Sequence, residues 1–305
     1  MAMLLLVQPV QADEARQWLS RMSEAARLQS YQGAFVYERT GSFSTHLIWR
    51  QVEAEDVTER LLQSDGDPQE WIRHNGELLC TSSTSIAADW ADATLLAEQP
   101  DLLHNWYTLQ ILGETRVANR PVTVLAVKPR DPFRYAYELY LDTQTGLLLK
   151  SLLINEREVL LERFQFTSLS LDPIDPLDLE PGEACKSLSV QSSNLLDNSV
   201  RWIPTWLPSG FALGHSETRE LEDDGQLFVQ VFTDGLARFT LFIESLGDQA
   251  LADDLRAQLG PTVAVSRKLA TPEGDFLVTV VGEIPPLAAE RVADSLRRET
   301  DGGLQ

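Results

Sequence analysis

The sequence is poor in the side chains that do chemistry. Its 305 residues hold two cysteines and four histidines. The histidines, His46, His74, His104 and His215, are scattered with no His-x-x-x-His spacing, and two cysteines cannot complete a common zinc site. No Gly-x-Ser-x-Gly elbow, phosphate-binding loop or dinucleotide fingerprint occurs. Basic residues are also scarce: 25 Lys and Arg stand against 46 Asp and Glu, a formal charge of −21. That balance excludes the cationic footprint of a nucleic-acid binder and suits a basic peptide partner instead. No apolar run approaches the roughly 20 residues that span a bilayer. Carboxylate pairs such as Asp223-Asp224 and Asp253-Asp254 fall in polar settings and read as surface charge. The chain therefore reads as a non-enzyme without a cofactor or metal.

What the sequence has is alternation. Gly33 to Arg50 predicts a long antiparallel hairpin turning at residues 39–42 around Gly41. In its second half Phe43, Leu47 and Trp49 share one parity, while Ser44, His46 and Arg50 share the other. A period of two places the first set on a buried face and the second, His46 included, in water. Phe35, Tyr37, Phe43, Leu47 and Trp49 are thus candidates to line one apolar groove or to lie directly beneath covering helices.

Strand patterns recur at 57–63, 71–80 (a hairpin around Asn75-Gly76), 122–128, 135–141, 147–155 and 159–169, with short turns that imply an antiparallel meander. Residues 13–29 carry Ala15, Trp18, Leu19, Met22, Ala25 and Ala26 at helical spacing. Residues 171–200, with Pro173, Pro176 and Pro181 and a Ser-Asn run near Ser192, read as a linker. Beyond it, strands are predicted near 211–217, 227–233, 239–244, 262–269 and 276–282, with helices over 248–259 (Leu251, Leu255, Leu259 on one stripe) and 287–298. The division is a leader remnant at 1–12, a sheet domain at 13–172, an acidic linker at 173–200 and a smaller domain at 201–305. The fold class is α+β and mainly antiparallel β.

Two aromatic clusters admit two readings each. Trp202, Trp206 and Phe211 either plug the second domain's core or meet a partner or an interdomain cleft. Phe133, Arg134 and Tyr135 either make a plain connection with one packed ring or form a lip that touches a ligand. Cys80 and Cys185 either pair or remain as two buried thiols. The apolar run Met3–Val7 followed by Val10-Gln11-Ala12 resembles the end of a secretory signal and predicts a mature start at Asp13.

Six stretches carry a family resemblance. They are Gln32-Gly-Ala-Phe-Val-Tyr-Glu-Arg39, Phe43-Ser-Thr-His-Leu-Ile-Trp49, Leu141-Asp-Thr-Gln-Thr-Gly-Leu147, Trp206-Leu-Pro-Ser-Gly-Phe211, Asp234-Gly-Leu-Ala-Arg-Phe239 and Gly260-Pro-Thr-Val263. In this order they resemble the RseB/MucB family of periplasmic regulators. The resemblance implies a LolA/LolB-like half-barrel with helices, followed by a C-terminal domain that makes much of the partner contact. The implied partner is the periplasmic segment of an anti-sigma factor of RseA/MucA type, which the regulator shields from site-1 proteolysis. Release on an envelope lipid signal, lipopolysaccharide or another acyl lipid, is implied as well, with alginate synthesis among the outputs. A periplasmic lipid or lipoprotein carrier is the alternative on the same half-barrel, but it leaves the second domain without a purpose. The sequence leaves open whether the protein forms a homo-oligomer.

Overall fold

The computed structural model describes residues 8–66, 69–82, 103–187, 201–220, 225–246, 254–272, 274–300 and 303–304. The chain divides into two compact units, Met1–Lys128 with Ala136–Val190, and Pro129–Tyr135 with Gln191–Gln305. The segment between two strands of the first unit is thus built into the second. Residues 1–7 of the expected leader at 1–12, Trp90, the Ser192 run, Asp223-Asp224 and Leu251 lie outside the described residues, while residues 8–12 are helical.

The first unit opens with α1 (Gln8–Leu28), which buries Ala15, Leu19, Met22 and Ala25 along one stripe. β1 (Tyr31–Arg39), β2 (Ser42–Glu53), β3 (Asp56–Gln63), β4 (Gln69–His74) and β5 (Glu77–Thr81) form a meander. Its last turn has Asn75 and Gly76 at φ 50° and 82°, as a type I′ hairpin requires. A one-turn helix α2 (Leu103–Trp106) precedes β6 (Tyr107–Val117), a strand that the sequence pattern did not reveal. β7 (Arg120–Pro129), β8 (Ala136–Asp142), β9 (Leu148–Ile154) and β10 (Leu160–Ser170) follow, then a 3₁₀ turn at Pro176–Leu179 and a short β11 (Lys186–Ser187).

All eleven strands join one sheet, in the order β11-β5-β4-β3-β2-β1-β10-β9-β8-β7-β6. It ends at β11 and β6, so the sheet is open and not a closed barrel. β10 returns to pair with β1, with a bulge between Ala34 and Phe35. Gly33 allows this close approach, because a Cβ there would stand 2.3 Å from the Ser168 carbonyl oxygen. α1 is tied down where Arg21 Nη2 donates to the Thr143 carbonyl at 2.9 Å. Gly146, at φ 84°, leaves room for the Arg21 backbone beside that turn.

The second unit is built on a six-stranded antiparallel sheet, β13 (Ala212–Glu220), β14 (Gln226–Thr233), β15 (Arg238–Ser245), β18 (Gly274–Gly282), β17 (Thr262–Thr271) and β16 (Leu255–Leu259) in spatial order. One face packs on α3 (Pro286–Ser295), burying Phe228, Phe239, Ile243, Val265, Val280 and Val292 in one core. β12 (Arg201–Pro204), β19 (Leu296–Thr300) and β20 (Gly303–Leu304) make a small second sheet.

Two expected helices are corrected here. Residues 255–259 of the helix expected over 248–259 are strand β16, paired with β17. Leucines four apart fit a strand as well as a helix, because four is also an even number. The last helix stops at Ser295, whose Oγ donates back to the Val292 carbonyl, and Leu296 turns extended (φ −65°, ψ 137°) into β19.

Candidate functional site

The opening hairpin inverts the expected parity. Phe35 pairs with His46, Tyr37 with Ser44 and Gly33 with Ile48, whereas Ala34 pairs with Leu47, Gln32 with Trp49 and Glu38 with Phe43. Residues directly opposite share a face. Phe35 and Tyr37 therefore face one way, and Phe43, Leu47 and Trp49 the other. The five do not line one groove.

The buried face is the one with the polar residues. His46 is 2% exposed and Arg50 4%, while Phe43 is 60% exposed. Phe35 is fully enclosed among Phe164, Phe166, Leu61, Trp71 and the α1 residue Ala25. Arg50 tolerates burial because it bonds the Glu59 carboxylate and donates to the Ala26 carbonyl at 2.5 Å. His46 tolerates it as a neutral ring: Nε2 shares a 2.8 Å hydrogen bond with Ser44 Oγ. Burial pushes its pKa down to about 4, against a smaller upward pull from Asp65. On the opposite face Leu47 and Trp49 are half-buried, and the Arg60 guanidinium lies 5.2 Å from the Trp49 ring centre.

The disulfide joins Cys80 of β5 to Cys185. The first part of the expected linker thus lies against the sheet. Arg60 Nη1 donates to the Asp178 carbonyl at 2.8 Å, and the buried Glu70 carboxylate accepts both Arg60 Nε, at 2.7 Å, and the Gly182 amide, at 3.1 Å.

In the second unit, Arg134 is the organising side chain. Its guanidinium is wholly buried. It donates from Nε to Asp234 Oδ2 at 2.6 Å, bonds Asp131 and the Ser209 carbonyl, and stands 5.1 Å from the centre of the Phe211 ring. Asp234 Oδ1 accepts the amides of Leu236 and Ala237 at 2.9 and 2.8 Å, closing the turn of Asp234-Gly-Leu-Ala-Arg-Phe239. The same device appears in the first unit. Asp142 Oδ1 accepts the Gln144 and Thr145 amides, and Oδ2 takes Arg120 Nε at 2.7 Å. Burial alone would raise the Asp142 pKa, but the Arg120 and Thr145 hydrogen bonds outweigh it and hold the carboxyl below its ordinary value. Two of the recognised motifs are thus buried aspartates that each close a turn and hold an arginine.

The remaining candidates separate by burial. Tyr135, Trp202 and Phe211 are 2%, 3% and 6% exposed, and the two last belong to the core. Phe133 and Trp206 are half-buried, edge to face at 4.9 Å, with the Arg291 guanidinium 4.1 Å from the Trp206 ring. Arg291 gave no signal in the sequence, since the contact spans 85 residues of chain. This Phe133–Trp206–Arg291 trio can reach solvent. Among the described residues no group of three or more His, Cys, Asp or Glu side chains could hold a metal ion, and no helix is long and apolar enough to cross a membrane.

Comparison with known proteins places these features. Residues 14–190 match the MucB/RseB N-terminal domain and residues 197–297 the MucB/RseB C-terminal domain. The sigma factor AlgU regulatory protein MucB of Pseudomonas aeruginosa is 48% identical over 302 residues, covering 97% of this chain and 95% of that one. The sigma-E factor regulatory protein RseB of Haemophilus influenzae is 27% identical over 312 residues, covering 96% and 95%. The crystal structure of MucB in complex with MucA(peri) superposes with a TM-score of 0.80 at 48% identity, over 94% of this chain and 99% of that one. Both halves match in order and nearly end to end, and the chain belongs to the MucB/RseB family.

Proposed function

We propose that this protein is a periplasmic regulator that binds the periplasmic segment of a membrane anti-sigma factor of MucA type. The observation that carries this reading is the 48% identity, across both units, to a protein crystallised with MucA(peri). The acidic surface agrees with it, since a charge of −21 favours a basic partner segment. Binding, rather than catalysis, is the activity: a bound anti-sigma segment is sheltered from the protease that would start its degradation. An acyl lipid, lipopolysaccharide included, would then relieve the restraint by favouring the partner-free state. On the opening hairpin such a lipid would meet Phe43, Leu47 and Trp49, because Phe35 and Tyr37 face the filled side of the sheet.

Isothermal titration of the full chain with the periplasmic segment of the anti-sigma factor tests the reading. Saturable one-to-one binding that also slows cleavage of that segment is expected. Absence of heat and of protection would overturn it. A chain of residues 8–190 alone is expected to bind much more weakly than the full chain.

A further inference from the structure

We propose that Cys80–Cys185 is a thiol-exchange site, and that a dithiol acting on it converts the strap at 175–187 from a docked segment into free chain. Past the buried Ile174 the strap has no fully buried anchor: none of residues 175–187 is buried, and Leu177 is 68% exposed. Its non-covalent hold is sparse. Among the described residues it consists of Arg60 to the Asp178 carbonyl, the Gly182 amide to Glu70, and two residue pairs, Lys186 with Thr81 and Ser187 with Cys80. A few hydrogen bonds contribute little net, and ordering thirteen residues, none of them fully buried, costs more conformational freedom than they return. The covalent link therefore decides whether the strap stays down.

Its two sulfurs are unequal. Cys80 is 4% exposed within β5, while Cys185 sits half-exposed on the strap. An incoming thiolate can thus reach Cys185 Sγ without unfolding the sheet. The exchange balances as follows: the donor thiolate bonds Cys185 Sγ, and Cys80 Sγ leaves as a thiolate and takes a proton. The donor's second thiol then attacks the mixed disulfide, freeing Cys185 as a thiol and leaving the donor oxidised to a disulfide. Two electrons and two protons pass from the dithiol to the protein. Release of the strap bares β5 as an edge strand and uncovers the Glu70 carboxylate, whose close contact with the strap depends on Gly182. A Cβ there would stand 2.6 Å from Glu70 Oε2.

The test uses the full chain under native conditions. It is treated with dithiothreitol, trapped with iodoacetamide and read by hydrogen exchange. After reduction the Gly182 and Lys186 amides are expected to exchange at least about tenfold faster, while β1 and β2 amides are unchanged. The double variant Cys80→Ser, Cys185→Ser is expected to show the same fast exchange without reductant. Glu70→Gln with the disulfide intact should leave Lys186 protected. Strap amides that stay protected after both sulfurs are alkylated would overturn the proposal. So would reduction that proceeds only when β1 and β2 amides exchange with it, since exchange would then require global unfolding.

Discussion

Phe35 and His46 face each other across the first hairpin with their rings stacked, 5.0 Å between centres and 17° from parallel. An imidazole thus takes the place of a second phenyl ring in an aromatic core, and it can do so only while neutral.

Acid should therefore destabilise the first unit. The folded pKa of His46 lies near 4, below the ordinary 6.5 of an unfolded histidine. With the folded value depressed, the neutral ring's contribution is complete above about pH 6.5. It is lost as pH falls from there towards 4, because only the unfolded chain takes up the proton. The loss across that window is on the order of 3 kcal/mol at most. Urea midpoints measured between pH 7.5 and 4 should fall more steeply for the native protein than for His46→Phe. Parallel slopes would show that His46 does not carry the dependence.

The two faces of the hairpin predict opposite sensitivities. Phe35→Ala empties a filled site and should cost about 3–5 kcal/mol. Phe43→Ala, on the exposed face, should stay within about 0.5 kcal/mol. Chemical denaturation of the two variants decides between this arrangement and the reverse parity read from polarity alone.

That reversal shows what the sequence could and could not disclose. The Asn75-Gly76 hairpin was legible because turn chemistry is local, and the α1 stripe because Ala15, Leu19, Met22 and Ala25 repeat on one face through about three turns. The hairpin's facing was not, because polarity stood in for burial. Arg50 and His46 are polar, yet Glu59 and the Ala26 carbonyl bond Arg50 inside, and Ser44 bonds the neutral His46 ring that Phe35 stacks on. The Phe133-Arg134-Tyr135 segment was visible as an unusual cluster, but its role rests on Asp234, 100 residues away, which no local pattern reveals. The Trp202 and Phe211 rings are core, whereas Trp206, four residues after Trp202, keeps access to solvent.

Breaking the Arg134–Asp234 pair should be severe. Arg134→Leu leaves a carboxylate at 0% exposure without its cation, a change expected to cost about 3–5 kcal/mol. Adding Asp234→Asn removes the stranded charge while its oxygen still accepts the Leu236 and Ala237 amides. The double variant should therefore be more stable than Arg134→Leu alone, by a margin that the double-mutant cycle reads directly. A single-variant cost under about 1 kcal/mol would mean that the pair does not organise the second unit.

Partner binding should separate Trp206 from its buried neighbours. Trp206, Phe133 and Arg291 form a cation-capped aromatic surface that is half-buried in the second unit. Aromatic and arginine side chains in such settings dominate binding energies. Trp206→Ala should therefore weaken binding of the anti-sigma segment by at least about tenfold, a difference of roughly 1.4 kcal/mol. Circular dichroism should show a folded protein, because the Trp202–Phe276 and Phe232–Phe239 contacts of the core do not involve this ring. Trp202→Phe, a change inside the core, should alter the melting temperature and leave affinity within about twofold. Unchanged affinity in a folded Trp206→Ala protein would remove the trio from the interface and return it to packing alone.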